Sequence, residues 1–209
     1  MVSTAAKTLD QDIEQDNDQD FKPGRPRSES ARKSILEATR RLLTHTSLGE
    51  LSIEAIAKKA KVGKTTIYRW WPNKAAVAME AFLEQPGVQN IIPTTATCSE
   101  AIQRQLESLV RQLRGQNGRI VAGIIAESQS DPAVLDLLYE SYLKERVELF
   151  YEKIEQGKKN GEFDSTLDTV IAIDMLLGPL FLRVLSGESA IDTNFAENYP
   201  KQALRAIRA

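Results

Sequence analysis

Residues 51–71 read LSIEAIAKKAKVGKTTIYRWW, and this run limits the fold more than any other part of the chain. Ile53, Ile56, Ala57 and Ala60 recur at intervals of three and four, which is the period of a helix with one buried face. Ser52 is a good N-cap for that helix, and Leu51 is placed to staple onto Ile56. A tight turn at Lys61-Val62-Gly63 follows, then a second short helix. On that helix Ile67, Trp70 and Trp71 fall on one arc at about 100° per residue. Thr65, Tyr68 and Arg69 fall on the opposite arc, with Lys64 and Thr66 at the borders. Two short helices joined by a glycine-containing turn, the second presenting hydrogen-bond donors, form a helix-turn-helix pattern.

The remaining periodicity is also helical and calls for no sheet. Ala31, Ile35, Ala38 and Leu42 mark a helix from Glu29 to the Leu48-Gly49 stop. Further helices are expected over Asn73–Gln85, Ser99–Arg114, Gly118–Ser128, Pro132–Gly157, Leu167–Leu185 and Thr193–Arg208. Thr97 and Glu100 have capping-box spacing, and Asp131-Pro132 supplies an N-cap followed by proline at the first helical position. Gly178-Pro179 is expected to kink the helix that contains it.

Charge is segregated along the chain. The formal net charge is −2. Residues 1–20 nevertheless set Lys7 against five aspartates and Glu14, whereas residues 22–74 hold thirteen Lys/Arg against Glu29, Glu37, Glu50 and Glu54. A basic block of this kind is the footprint of a nucleic-acid binder. Residues 1–22 are too polar to offset ordering entropy and read as a disordered acidic tail. The prolines and glycine of Lys22-Pro23-Gly24-Arg25-Pro26-Arg27 argue for an extended arm, whose Arg25 and Arg27 suit a narrow minor groove.

Gly63-Lys64-Thr65 also matches the end of a phosphate-binding loop, a rival reading that implies an NTPase. That loop requires a glycine where Lys58 stands and a strand where an amphipathic helix is expected. One cysteine, Cys98, excludes an internal disulfide or a thiolate zinc cage. The single histidine, His45, offers no catalytic constellation. No apolar signal region opens the chain, and the best apolar run, Met175–Leu182, is short for a membrane span. A cytoplasmic protein with no membrane partner, no catalytic residue, no metal and no cofactor is expected.

The run from Glu29 to Ala81 resembles the DNA-binding domain of the TetR family of bacterial regulators. The matching residues are GRPR at 24–27, the first helix with Ala38, the LSIEAIAKKAKVGKTTIYRWW run and Pro72-Asn73-Lys74. Residues 68–74 are similar to the family's Tyr-x-x-aromatic-x-x-Lys signature. The acidic tail is not part of the family pattern. The resemblance implies an all-α fold, with a three-helix DNA-binding domain over 23–75 and a helical effector-binding and dimerisation domain over 76–209. It implies phosphate contacts from Tyr68 and Lys74. Lys64, Thr65 and Arg69 occupy positions that often read bases, and Thr66 one that usually holds backbone. Trp71 takes a core aromatic position and Trp70 a variable one.

The partners implied are double-stranded DNA with a near-palindromic site, a second copy of the chain and a small-molecule effector. The almost wholly apolar Val170–Leu185 helix independently calls for burial against a partner. Leu177, Phe181 and Leu185 on it, with Phe195 and Tyr199 on the last helix, are the candidate dimer residues. Leu109, Ile124, Leu138 and Tyr142 are candidate effector-pocket residues. Few convergent polar groups are visible among them, which favours an apolar or amphipathic effector. The expected function is repression relieved by that effector; the sequence leaves open an effector that promotes DNA binding instead.

Overall fold

The computed structural model describes residues 25–88, 97–187 and 190–208, with side chains in the first helix from Glu29 onward. The acidic tail lies outside the described residues. Among the described residues ten α-helices run in chain order: α1 Arg25–Leu43, α2 Ile53–Ala60, α3 Lys64–Tyr68, α4 Lys74–Leu83, α5 Cys98–Gln112, α6 Gln116–Ser128, α7 Pro132–Leu138, α8 Lys144–Asn160, α9 Thr169–Ser186 and α10 Thr193–Ile207. Among the described residues there is no strand.

The expected caps are in place. Ser52 accepts from the Ala55 amide at 3.1 Å, Thr97 from Glu100 at 3.1 Å and Asp131 from Ala133 at 3.1 Å. Glu162 adds a second clamp on α5, accepting from the amides of Cys98 and Ser99 at 3.1 and 2.9 Å. Those two bonds hold its carboxyl below the usual range despite the opposing effect of burial.

Three features of the helices depart from the sequence reading. Helix α1 begins at Arg25 rather than after an extended arm, because Pro26 falls in the first turn, where the missing amide hydrogen has no helical partner to lose. The single helix expected over 132–157 contains a π-helical turn, Tyr139–Leu143, that joins α7 to α8. The helical run of α9 includes Pro179, and that proline and Met175, whose carbonyl loses its amide partner, both lie on the exposed side. By length and composition α9 is also apolar enough to cross a membrane, although 33% of it is buried within this fold.

One hydrophobic cluster runs through the molecule. Ile35, Leu36, Ile56, Ile67 and Trp71 belong to it, and so do Phe82, Leu106, Leu109, Ile124 and Phe150. Helix α4 joins the two ends, packing on α1 on one side and on α6 and α7 on the other. Gly123 on α6 lets that helix pack closely on the loop after α1: a Cβ there would lie 2.8 Å from the Cβ of Leu48.

Candidate nucleic-acid interface

Helix α3 is only five residues long and has no side-chain N-cap, since Gly63 precedes it. Thr65, Thr66 and Ile67 are mediocre helix formers, so packing must hold it. Ile67 is fully buried and Trp71 is 3% exposed. The indole N–H of Trp71 donates to Glu80 on α4 at 2.5 Å. Arg32 on α1 also pairs with Glu80, and with Glu84 at 2.6 Å. This Trp71–Glu80–Arg32–Glu84 chain fixes the end of α3 against α4 and α1. The sequence held one hint of it: a buried tryptophan needs an acceptor for its N–H.

Trp70 does not join that packing. It is 39% exposed, at the edge of the inner arc, about 60° from Ile67 at about 100° per residue. The two indoles remain neighbours, with ring centroids 6.2 Å apart.

The turn between α2 and α3 occupies Lys61-Val62-Gly63, where the sequence placed it. Its left-handed residue is Lys61, at φ 58° and ψ 43°, whereas Gly63 is extended at φ −75°. Lys61 ends α2 by giving its amide to the Ala57 and Lys58 carbonyls.

The opposite face of α3 is open. Lys64, Thr65, Tyr68 and Arg69 are exposed, Tyr68 at 54%, and Thr66 is half-buried. Glu54 on α2 pairs with Lys64 at 3.0 Å. The hydrogen bond lowers the Glu54 pKa and raises that of Lys64. Both groups lie in water, so the pair yields readily to a stronger anion. Lys74 is half-buried, donating to the Gly49 carbonyl at 3.0 Å and pairing with Glu127 on α6 at 2.9 Å. It therefore ties the start of α4 both to the loop after α1 and to α6. Arg25 and Arg27 fall in the first turn of α1, and their side chains lie outside the description.

A surface of donors and cations, carried on a short helix whose back is locked by Ile67 and Trp71, defines a helix-turn-helix DNA-binding protein. Residues 35–81 match the family model for bacterial regulatory proteins of the tetR family. Residues 92–203 match that for the tetracyclin repressor-like C-terminal domain. The HTH-type transcriptional regulator YdeS of Bacillus subtilis is 30% identical over 90% of this chain and 95% of its own. Among solved structures, FadR of Bacillus subtilis in complex with stearoyl-CoA is similar with a TM-score of 0.64 at 18% identity, over 86% of this chain and 99% of that one. MexZ, a repressor of Pseudomonas aeruginosa, gives 0.60 at 20% identity, over 87% and 96%. The chain belongs to the TetR family of transcriptional regulators, which are DNA-binding proteins and not enzymes.

The candidate effector residues Leu109, Ile124, Leu138 and Tyr142 come together as fully buried members of the core. None of them lines the cavity of about 550 Å³ between the end of α1, α6 and α9, whose walls include Leu43, Leu48, Ile120, Glu127 and Leu185. Of the candidate dimer residues, Leu185 is exposed and Leu177, Phe181 and Phe195 are half-buried. Tyr199 is committed within its own protomer: it is 8% exposed, stacks on Phe195 and donates its hydroxyl to the Leu176 carbonyl. Burial raises its pKa. The apolar stripe that α9 leaves open consists of Val170, Ile171, Met175, Leu182 and Leu185. From Ile171 to Met175, Gly178, Leu182 and Leu185 the steps alternate four and three, the spacing of a helix–helix seam.

Proposed function

We propose that the chain is a homodimeric repressor released from DNA by a small molecule. The observation that carries this is the open face of α3. Thr65 and Arg69 are free to meet base edges, and Tyr68 to meet phosphate, while Ile67 and Trp71 hold the helix from behind. The α9 stripe joins two copies, so that two α3 helices enter successive major grooves roughly 34–36 Å apart on a near-palindromic site. Lys74 leaves Glu127 for a phosphate in that complex. The effector occupies the C-terminal bundle, as the stearoyl-CoA-bound FadR and the repressor MexZ suggest by likeness of fold. It favours an arrangement with the wrong spacing, and by linkage DNA weakens effector binding to the same degree. The protein works in the cytoplasm, where its DNA is. Selection of bound fragments from a random duplex pool at stated salt tests the proposal. A two-fold symmetric site is expected; recovery of no preferred sequence would remove it.

A further inference from the structure

Arg146 on α8 is a buried charge that lacks a counter-ion. It is 3% exposed, and among the described residues it forms no ion pair with a carboxylate. Its partners are neutral oxygens: the Tyr142 carbonyl, the Val88 carbonyl at 2.8 Å and the Gln112 side-chain oxygen at 3.1 Å. Among the described residues its buried Nε–H has no hydrogen-bond partner. The guanidinium sits 4.0 Å over the Tyr142 ring, and burial pushes its pKa down. A lone buried cation is costly, and an apolar side chain of similar volume would ordinarily serve the core better.

A second observation marks the same place. The π-helical turn Tyr139–Leu143 lies one residue ahead of α8's first turn, and such turns cluster at functional sites. It carries Tyr142 into the core, where the phenol donates to the same Gln112 oxygen at 3.1 Å and its ring meets Phe82 of α4 edge-on. Burial pushes the Tyr142 pKa up to about 12, so it stays a donor. Three polar side chains from α5, the π turn and α8 thus converge inside an otherwise apolar cluster. Sequence reading found no such convergence, because Gln112 and Arg146 are 34 residues apart.

From this we infer that Arg146 is the head-group site of the effector, and that the effector is a monoanion: a carboxylate on an apolar body. This rests on the effector reading above and narrows it. The Nε–H and Nη2–H edge of a guanidinium accepts a carboxylate through two parallel hydrogen bonds. One carboxylate balances one arginine; a phosphate dianion would remain half-neutralised in the same core. The carboxylate satisfies the orphaned Nε–H and takes Nη2 from the Val88 carbonyl. Val88 lies in the segment that follows α4, so this exchange loosens the tie between α8 and the helix that begins at Lys74.

The test uses full-length protein and thermal unfolding. The probes are straight-chain carboxylates from butanoate to decanoate, benzoate, and the matching neutral amides. At least one carboxylate should raise Tm with concentration while its amide does not. Arg146→Met should raise Tm in the absence of any probe, by removing the unbalanced charge, and should abolish the carboxylate shift. Equal shifts from acid and amide, or no shift from any acid in the series, would overturn the inference. So would a lower Tm for Arg146→Met, which would make the arginine a structural strut. Release of a selected duplex by the amides would keep the effector reading and sink the anion. Acid-specific stabilisation through Arg146 with no effect on the duplex would keep the anion site and sink the effector reading.

Discussion

Glu127→Gln should make this protein bind DNA more tightly. In the free protein Lys74 is held by Glu127 at 2.9 Å, with both side chains partly shielded from water. The proposed complex needs that ammonium on a phosphate, so the ion pair must break first. A pair of this exposure is worth about 1 kcal/mol, and two protomers make about 2 kcal/mol, roughly a 25-fold gain in affinity for the dimer. Glutamine keeps the shape of the side chain, and the Gly49 carbonyl still positions Lys74. The salt slope should not change, since the complex contains the same phosphate contacts. Lys74→Ala, in contrast, should weaken binding to every duplex and lower the slope by about one unit per protomer. In the Lys74→Ala background Glu127→Gln should have no effect, because the two substitutions act on one interaction. Fluorescence anisotropy with a labelled duplex over a series of salt concentrations measures all four proteins. Unchanged or weaker binding by Glu127→Gln would show that Lys74 keeps its carboxylate partner on DNA and that the exchange is wrong.

Three other perturbations follow from the same geometry. Lys61→Gly should raise stability by about 1 kcal/mol in urea, because a left-handed backbone disfavours a side chain at that position, while Gly63→Ala should be tolerated. Trp71→Phe should cost about 2 kcal/mol in the same assay, since it removes the N–H bond to the Glu80 carboxylate and part of the ring that holds α3. Leu182→Glu places a charge in the centre of the open α9 stripe; sedimentation should show monomers, and affinity for a symmetric site should fall further than affinity for a half-site.

The parts of the fold legible in the sequence were those set by local chemistry. Ile53, Ile56 and Ala57 face inward, Ser52, Thr97 and Asp131 cap, and Thr65, Tyr68 and Arg69 face outward, because period and capping act within a few residues. What escaped depends on partners distant in sequence or on residues at the edge of a helical arc. Trp70 turned outward from the edge of the inner arc. Lys61, and not Gly63, holds the left-handed position of the turn, a choice that the sequence reading did not make. Lys74 found Glu127, Trp71 found Glu80, and Tyr199 found the Leu176 carbonyl across separations that periodicity does not encode. The Gln112–Tyr142–Arg146 cluster escaped for a further reason: one extra residue in a π turn shifts the helical phase ahead of α8, and no local sequence signal announced it.

Methylation protection at guanine N7 on a selected duplex tests the central claim, that the outer face of α3 reads bases. The account predicts two patches of protection about one helical turn apart, related by two-fold symmetry. Arg69→Ala should expose one guanine in each patch while the phosphate footprint stays in place. Identical protection by Arg69→Ala and the parent protein, or a single unsymmetrical patch, would contradict it.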